Sequence, residues 1–229
     1  MSESTGLATL FETMRVFRGT LPLLERHVAR LSASCRALDL LAPPADLAEE
    51  AASHGLRPPA DRVVRISWDG ASMIWDDRDL PPSDPVHVAV VSQVHLGYPH
   101  KTMQRVKFDR AMEQAREYGA EEPLLLTVGG RVAEAARFAV AWIDDGILRM
   151  PELALEILPS IGRERLMAIA EEQGIAVEPG RYPREALADR AILLVNAARG
   201  VVPVASLDGV TVPADPTIDA LAAAFWPSA

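Results

Sequence analysis

Cysteine is nearly absent: the 229 residues hold one, Cys35. A single thiol excludes an internal disulfide and a cysteine-rich zinc site. It falls in an apolar helical stripe, which makes it a core residue rather than a reactive thiol. Positive charge is also short. Lys and Arg number 23 against 32 Asp and Glu, for a net charge of −9. Binding to a nucleic acid or another polyanion needs clustered Lys and Arg, so the balance argues against such a partner. Long apolar runs are missing. No stretch approaches the roughly 20 residues of a membrane span, and MSESTGLATLFETMR is too polar for a signal peptide. The expected location is the cytoplasm, with no membrane partner. The five histidines (His27, His54, His87, His95 and His100) form no HxxxH or HxH pair, so no metal site is expected. No GxGxxG follows a strand, and there is no P-loop or GxSxG, which removes the usual nucleotide-binding and serine-hydrolase readings.

What remains is an ordinary globular composition, 49% hydrophobic and 24% charged, long enough for one large domain or two small ones. ATLFETMRVFRGTLPLL reads as strand, turn at Arg18-Gly19, and second strand. Leu24, Val28, Leu31, Cys35 and Leu38 then mark one face of a helix. A second helix starts near Asp46, DRVVRISWDGASMIWDD forms a hairpin over Asp69-Gly70, and DPVHVAVVSQV forms a strand. These elements predict a small α+β domain over residues 1–92. Residues 93–100 have no clear period and are read as a linker. A larger, strand-rich domain follows over 101–229. It opens with a helix carrying Phe108, Ala111, Met112 and Ala115. Hairpins turn over Gly129-Gly130, Asp145-Gly146 and Asp208-Gly209, a helix runs from about Ser160 to Gln173, and a last helix starts at Asp215-Pro216.

Candidates for chemistry are few. Lys101 follows the strap LGYPH, at an elbow beside a strand end. A loop lysine is ordinarily solvated. It becomes a carbonyl nucleophile when desolvated or set beside another cation, because its pKa then falls. Glu134 lies among alanines in RVAEAARFAVAW. Alone it reads as an exposed strand-end carboxylate. If buried it needs a partner, such as a protonated ring nitrogen. Arg30 lies off the apolar stripe and reads either as a solvated helix arginine or as a phosphate clamp. Ser160, Ile161 and Gly162 open a helix, whose unpaired N–H groups suit an anion. Asn196 and Ala197 follow a strand, where small residues let a backbone approach a ligand or simply make a tight turn.

Taken in order, LFETMRVFRGTLPLLERHVARL, HKTMQR, GGRVAEAA, LEILPSIGRERL and LADRAILLVNAARGVVPVASLDG resemble the fold-type IV pyridoxal-phosphate (PLP) enzymes. That group includes branched-chain and D-amino-acid aminotransferases and 4-amino-4-deoxychorismate lyases. Lys101 and Glu134 are 33 positions apart, as are the family's Schiff-base lysine and its ring-nitrogen glutamate. The resemblance implies a two-domain α+β fold of the D-amino-acid aminotransferase type, PLP as cofactor, a small-molecule amino substrate and a homodimer. It further implies that Lys101 is the catalytic, covalent lysine and Glu134 the partner of the pyridine nitrogen. Arg30, Ile161, Gly162, Asn196 and Ala197 would hold the phosphate.

The short chain, HKT and the NA of LLVNAARG resemble the lyase branch most. That branch releases pyruvate from 4-amino-4-deoxychorismate and leaves 4-aminobenzoate for folate biosynthesis. An aminotransferase of branched-chain or D-amino acids is the alternative, and a degenerate member without catalysis is a third. The departures are specific. Ala139 stands where the family has Asn. LPSIGR replaces LPGITR, so Ser160 stands for Gly, and Gly162 for Thr with loss of a hydroxyl. Arg137 is an added cation, for a carboxylate substrate or for solvent.

Overall fold

Apolar and polar residues alternate through LFETMRV, and the segment forms strand β1, Leu10–Val16. The computed structural model describes residues 8–57, 59, 61–82 and 84–227. Among these, residues up to Leu80 together with His100–Arg105 form one unit. Pro81–Pro99 and the chain from Val106 onward form the other.

In the first unit β1 pairs antiparallel with β2 (Arg62–Trp68), and β2 with β3 (Met73–Arg78). The β2–β3 hairpin turns over Asp69-Gly70 as expected. Asp69 Oδ1 accepts the N–H groups of Ala71 and Ser72 at 2.8 and 2.7 Å. Leu10, Met14 and Val16 face α1 (Leu24–Ala37) and α2 (Leu47–Gly55) and share a core with Leu31, Cys35, Leu47, Val64 and Ile66. Cys35 is a free, buried core residue. Buried Arg62 caps the end of α2 by donating to the carbonyls of His54 and Arg57, each at 2.6 Å. The strand expected after Gly19 does not form. Phe17 and Thr20 make an isolated bridge, and α1 begins at Leu24. Pro22 has no N–H with which to extend a ladder.

The segment at Lys101 also differs from the expected helix start. It runs along β1 instead. Phe11 N–H donates to Lys101 O at 3.0 Å, Met103 N–H donates to Thr9 O at 2.8 Å, and Leu10 bridges Thr102. Helix α3 starts later, at Val106, and ends at Glu117.

The second unit is built on nine strands: β4 (Val86–Val90), β5 (Glu122–Leu126), β6 (Val132–Ala135), β7 (Ala139–Asp144), β8 (Ile147–Pro151), β9 (Val177–Gly180), β10 (Ala191–Asn196), β11 (Gly200–Leu207) and β12 (Val210–Thr211). Their order is β6-β5-β4-β11-β10-β7-β8-β9, with β12 paired to β11. Strand β4, read from the sequence as part of the first domain, lies inside this sheet, parallel to β5 and β11. Its composition explains the placement. Val86 and Val88 enter one buried cluster, while Ala89 enters another with Phe108, Ala111 and Ala115 of α3. A strand covered on both faces belongs at the middle of a sheet. Strand β9 was not legible in VEPG. It carries Pro179 and is an edge strand, where a missing N–H is tolerated. Helices α4 (Ile161–Glu172) and α5 (Pro216–Phe225) are capped by Ser160 and Asp215, and the Asp215 cap is the one the sequence predicts.

Candidate active site

In the first unit Glu12 points from β1 toward α1 and is 1% exposed. Arg30 donates Nε to Oε1 at 2.8 Å and Nη2 to Oε2. His27 Nδ1 lies 2.7 Å from Oε2. Burial pushes the Glu12 carboxyl up, but Arg30 and His27 together outweigh it and hold the group at about 2. Burial lowers the His27 pKa, against the pull of Glu12. His27 Nε2 is buried and has no hydrogen-bond partner among the described residues. Arg30 is therefore no solvated helix arginine: its side chain is 11% exposed and forked onto a buried carboxylate.

Lys101 Nζ sits 4.5 Å from the centroid of the Phe11 ring. Burial lowers its pKa first, then Arg30. Glu12 opposes them, and Arg105 and Arg65 add to the lowering, to leave the amine at about 7. An amine at that value is substantially neutral near pH 7 and is a competent nucleophile and proton carrier. The elbow lysine is thus desolvated and set among cations, as the sharper of its two readings requires. Arg65 and Arg105 stack on the same Phe11 ring, their guanidinium carbons 4.6 and 6.0 Å from its centroid. Sequence reasoning missed both. The available signal was the cross-strand register, which sets Thr13 of β1 opposite Arg65, two residues from Phe11.

In the second unit Glu134 is 5% exposed, which overturns its reading as a surface carboxylate. His95 Nε2 lies 2.7 Å from Glu134 Oε1, and Leu158 N–H donates to Oε2 at 3.3 Å. No local spacing in the sequence ties His95 to a residue 39 positions away.

The helix start and the strand-end loop come together. A Cβ built on Gly162 would lie 2.6 Å from Asn196 Cα and 2.7 Å from its carbonyl carbon. Any side chain at 162 would collide with backbone, so the glycine that stands for Thr is what lets the two segments touch. Asn196 Oδ1 accepts N–H groups of Ala198 and Arg199 at 3.0 and 2.8 Å, and its Nδ2 donates to Arg137 O at 3.1 Å. Ile161 and Ala197 are buried beside this junction. The N–H groups of the first helical turn have no partner within the helix, which suits them to a phosphate. Ser160 Oγ accepts Arg163 N–H at 3.4 Å and serves as the cap. Ala139 is buried opposite Val195, next to this loop. Arg137 donates to Glu122 through its backbone N–H at 2.6 Å and through Nε at 2.7 Å. Glu122 is wholly buried and needs this cation.

Each unit thus brings a set of the sequence-derived residues together: Arg30 with Lys101 in the first, and Ile161, Gly162, Asn196 and Ala197 in the second. In the first unit the Lys101 amine suits the aldehyde of PLP; in the second the buried Glu134 carboxylate suits its ring N–H, and the Gly162–Asn196 cradle suits its phosphate.

A family model described as amino-transferase class IV matches residues 9–207. A branched-chain-amino-acid aminotransferase of Escherichia coli K12 is 35% identical over 101 residues, 43% of this chain and 32% of that protein. This match therefore spans about a third of that relative's length. Among solved structures, a provisionally named 4-amino-4-deoxychorismate lyase is 27% identical, with TM-score 0.84, over 98% of this chain and 92% of that one. An aminotransferase from Brucella abortus bound to PLP is 23% identical, with TM-score 0.85, over 98% of this chain and 90% of that one. The fold is that of the fold-type IV aminotransferases.

Proposed function

The chain belongs to the amino-transferase class IV family, and from that premise we propose that it is a PLP-dependent lyase that releases pyruvate from 4-amino-4-deoxychorismate. The family is PLP-dependent. When bound, the cofactor supplies an aldehyde for covalent attachment and an electron-withdrawing ring. The Lys101 amine would hold the cofactor through that aldehyde and, once displaced by the substrate amine, would take a proton from the substrate ring and return one to the departing enolpyruvyl group. Glu134 would hold the ring nitrogen of the cofactor. The N–H groups of Ile161 and Gly162 and the Asn196-Ala197 loop would hold its phosphate. Arg30 adds positive charge, with its orientation held by Glu12.

The observation that carries the lyase reading is the cation cluster on Phe11. Lys101, Arg65 and Arg105 share one ring. Two arginines beside the reacting amine match a substrate with two carboxylates, as aminodeoxychorismate has, and a guanidinium is the side chain best shaped for a carboxylate. A branched-chain amino acid has one carboxylate and an apolar side chain.

The second reading is a class IV aminotransferase of branched-chain or D-amino acids, supported by the 35% identity to the Escherichia coli aminotransferase. One experiment separates the two. Purified protein with PLP and aminodeoxychorismate is expected to yield pyruvate and 4-aminobenzoate in equal amounts with no keto acid added. Turnover that requires 2-oxoglutarate and a branched-chain or D-amino acid selects the aminotransferase. No turnover with either set makes the chain a degenerate member, as Ala139 in place of Asn would suggest. The reading also expects a homodimer, which sedimentation velocity tests directly.

A further inference from the structure

The strap between β4 and Lys101, without a pattern in the sequence, is heavily tied. His95 N–H donates to Leu126 O at 2.8 Å, Tyr98 N–H donates to Glu156 O at 2.7 Å, and Lys107 Nζ donates to Gly97 O. Gly97 takes φ +81°, a left-handed value that a residue with a Cβ rarely adopts. That turn aims Gly97 N–H back at His95 Nδ1, 3.4 Å away. A nitrogen that accepts from Gly97 carries no proton, so the proton of the neutral imidazole sits on Nε2 and is donated to Glu134 Oε1 at 2.7 Å.

His95 is 3% exposed, and Glu134 is flanked by the buried Ala133, Ala135 and Ala136, which offer no side-chain donor. The Glu134 carboxylate is thus gripped at both oxygens from two directions, by His95 Nε2–H and Leu158 N–H. Each oxygen keeps a further acceptor position. The carboxylate plane cannot turn without breaking a hydrogen bond in a nearly dry site, where an unmade bond is costly.

We propose that His95 is a positioning residue of the enzyme: locked by Gly97 in its Nε2–H tautomer, it fixes the carboxylate plane of Glu134 for the ring nitrogen of the cofactor. This role rests on the PLP reading above. The tautomer does not, and the two are tested separately.

Nitrogen-15 histidine NMR of the apo-protein is expected to show His95 protonated at Nε2 and bare at Nδ1, with the Nε2 signal displaced in Glu134→Gln. A proton on Nδ1 would overturn the proposal. For the role, His95→Leu removes the donor and His95→Gln keeps an amide N–H at a similar reach. PLP dissociation constants and the visible spectrum of bound PLP are measured for both. His95→Leu is expected to weaken PLP binding about 10-fold, the size of one hydrogen bond to a charged group, and to shift the spectrum. His95→Gln restores both. In a Glu134→Gln background, the effect of His95→Leu on affinity should largely vanish, because the two act as a unit. Wild-type affinity and spectrum in His95→Leu would sink the role while PLP binding stands. If His95→Leu does not fold, a His95→Gln protein that differs from wild type in affinity and spectrum sinks it equally. A wild-type protein that takes up no PLP overturns both the role and the PLP reading, with the tautomer result showing that the local geometry was nonetheless right.

Discussion

The two units prepare their residues by different physics. In the first, charge is crowded into a small α+β core: Glu12, His27, Arg30 and Lys101 act on one another, and the result is an amine at about 7 beside a carboxyl at about 2. In the second, packing and hydrogen bonds place the candidate residues. A glycine brings a helix start onto a strand end, and a histidine and a backbone N–H orient one carboxylate. Reactivity is set by electrostatics in the first unit and by shape in the second. Substitutions should therefore separate into those that move pH behaviour and those that move geometry.

The largest expected effect is at Lys101. Lys101→Ala should abolish covalent PLP attachment and lower turnover by at least about 10³-fold, since a nucleophile and a proton carrier are lost together. It should also alter the pH dependence of apo-protein stability. The amine titrates near 7 when folded, against an ordinary value of 10.5. The unfolded chain binds more protons throughout that window, so wild-type stability rises with pH from about 7 to 10.5, and Lys101→Ala removes that slope. Urea melts at pH 7 and pH 10 check it.

Next is Gly162→Ala. The added methyl meets Asn196 backbone at 2.6 Å, and neither a helix start nor a strand end can give way cheaply. A loss of roughly 1–3 kcal/mol is expected, with PLP affinity reduced as the cradle opens and with no change in the pH profile. A pH shift here would blur the division between the units.

Glu12→Gln should act in the opposite manner. The Glu12 carboxyl lies at about 2 when folded, against 4.5. Its stabilisation is present above pH 4.5 and is lost as pH falls toward 2. The loss is about 3 kcal/mol by linkage, and acid unfolding of Glu12→Gln should lack it. The substitution should also move the Lys101 titration downward, because Glu12 is the anion that opposes the lowering of its pKa. The smallest effect is at Ser160→Ala. The cap contact is long at 3.4 Å, so a cost of about 0.5–1 kcal/mol is expected, read as a small drop in Tm.

Much of this was legible in the sequence, and the division follows physical distance along the chain. Hairpins over Asp69-Gly70 and Asp145-Gly146, the helix opening near Ser160, the Asp215 cap, and the α3 face at Phe108, Ala111 and Ala115 are local patterns, and they hold. Strand β4 was legible as a strand but not as a central one, because its two partners, β5 and β11, lie far along the chain. Lys101 and Glu134 stood out through spacing and order. Their environment did not: burial of Glu134, the Glu12–Arg30 fork and the His95–Glu134 bond each join residues from different elements. Arg65 and Arg105 carry no local signal; only the sheet register brings the first over Phe11.

The measurement that bears most directly on the account is borohydride reduction of the protein after incubation with PLP, followed by peptide mapping. A visible absorption band that is lost on reduction is expected, with a single pyridoxyl group on the peptide carrying Lys101. A reduced adduct on another lysine, or a Lys101→Ala protein that keeps the band, would contradict it.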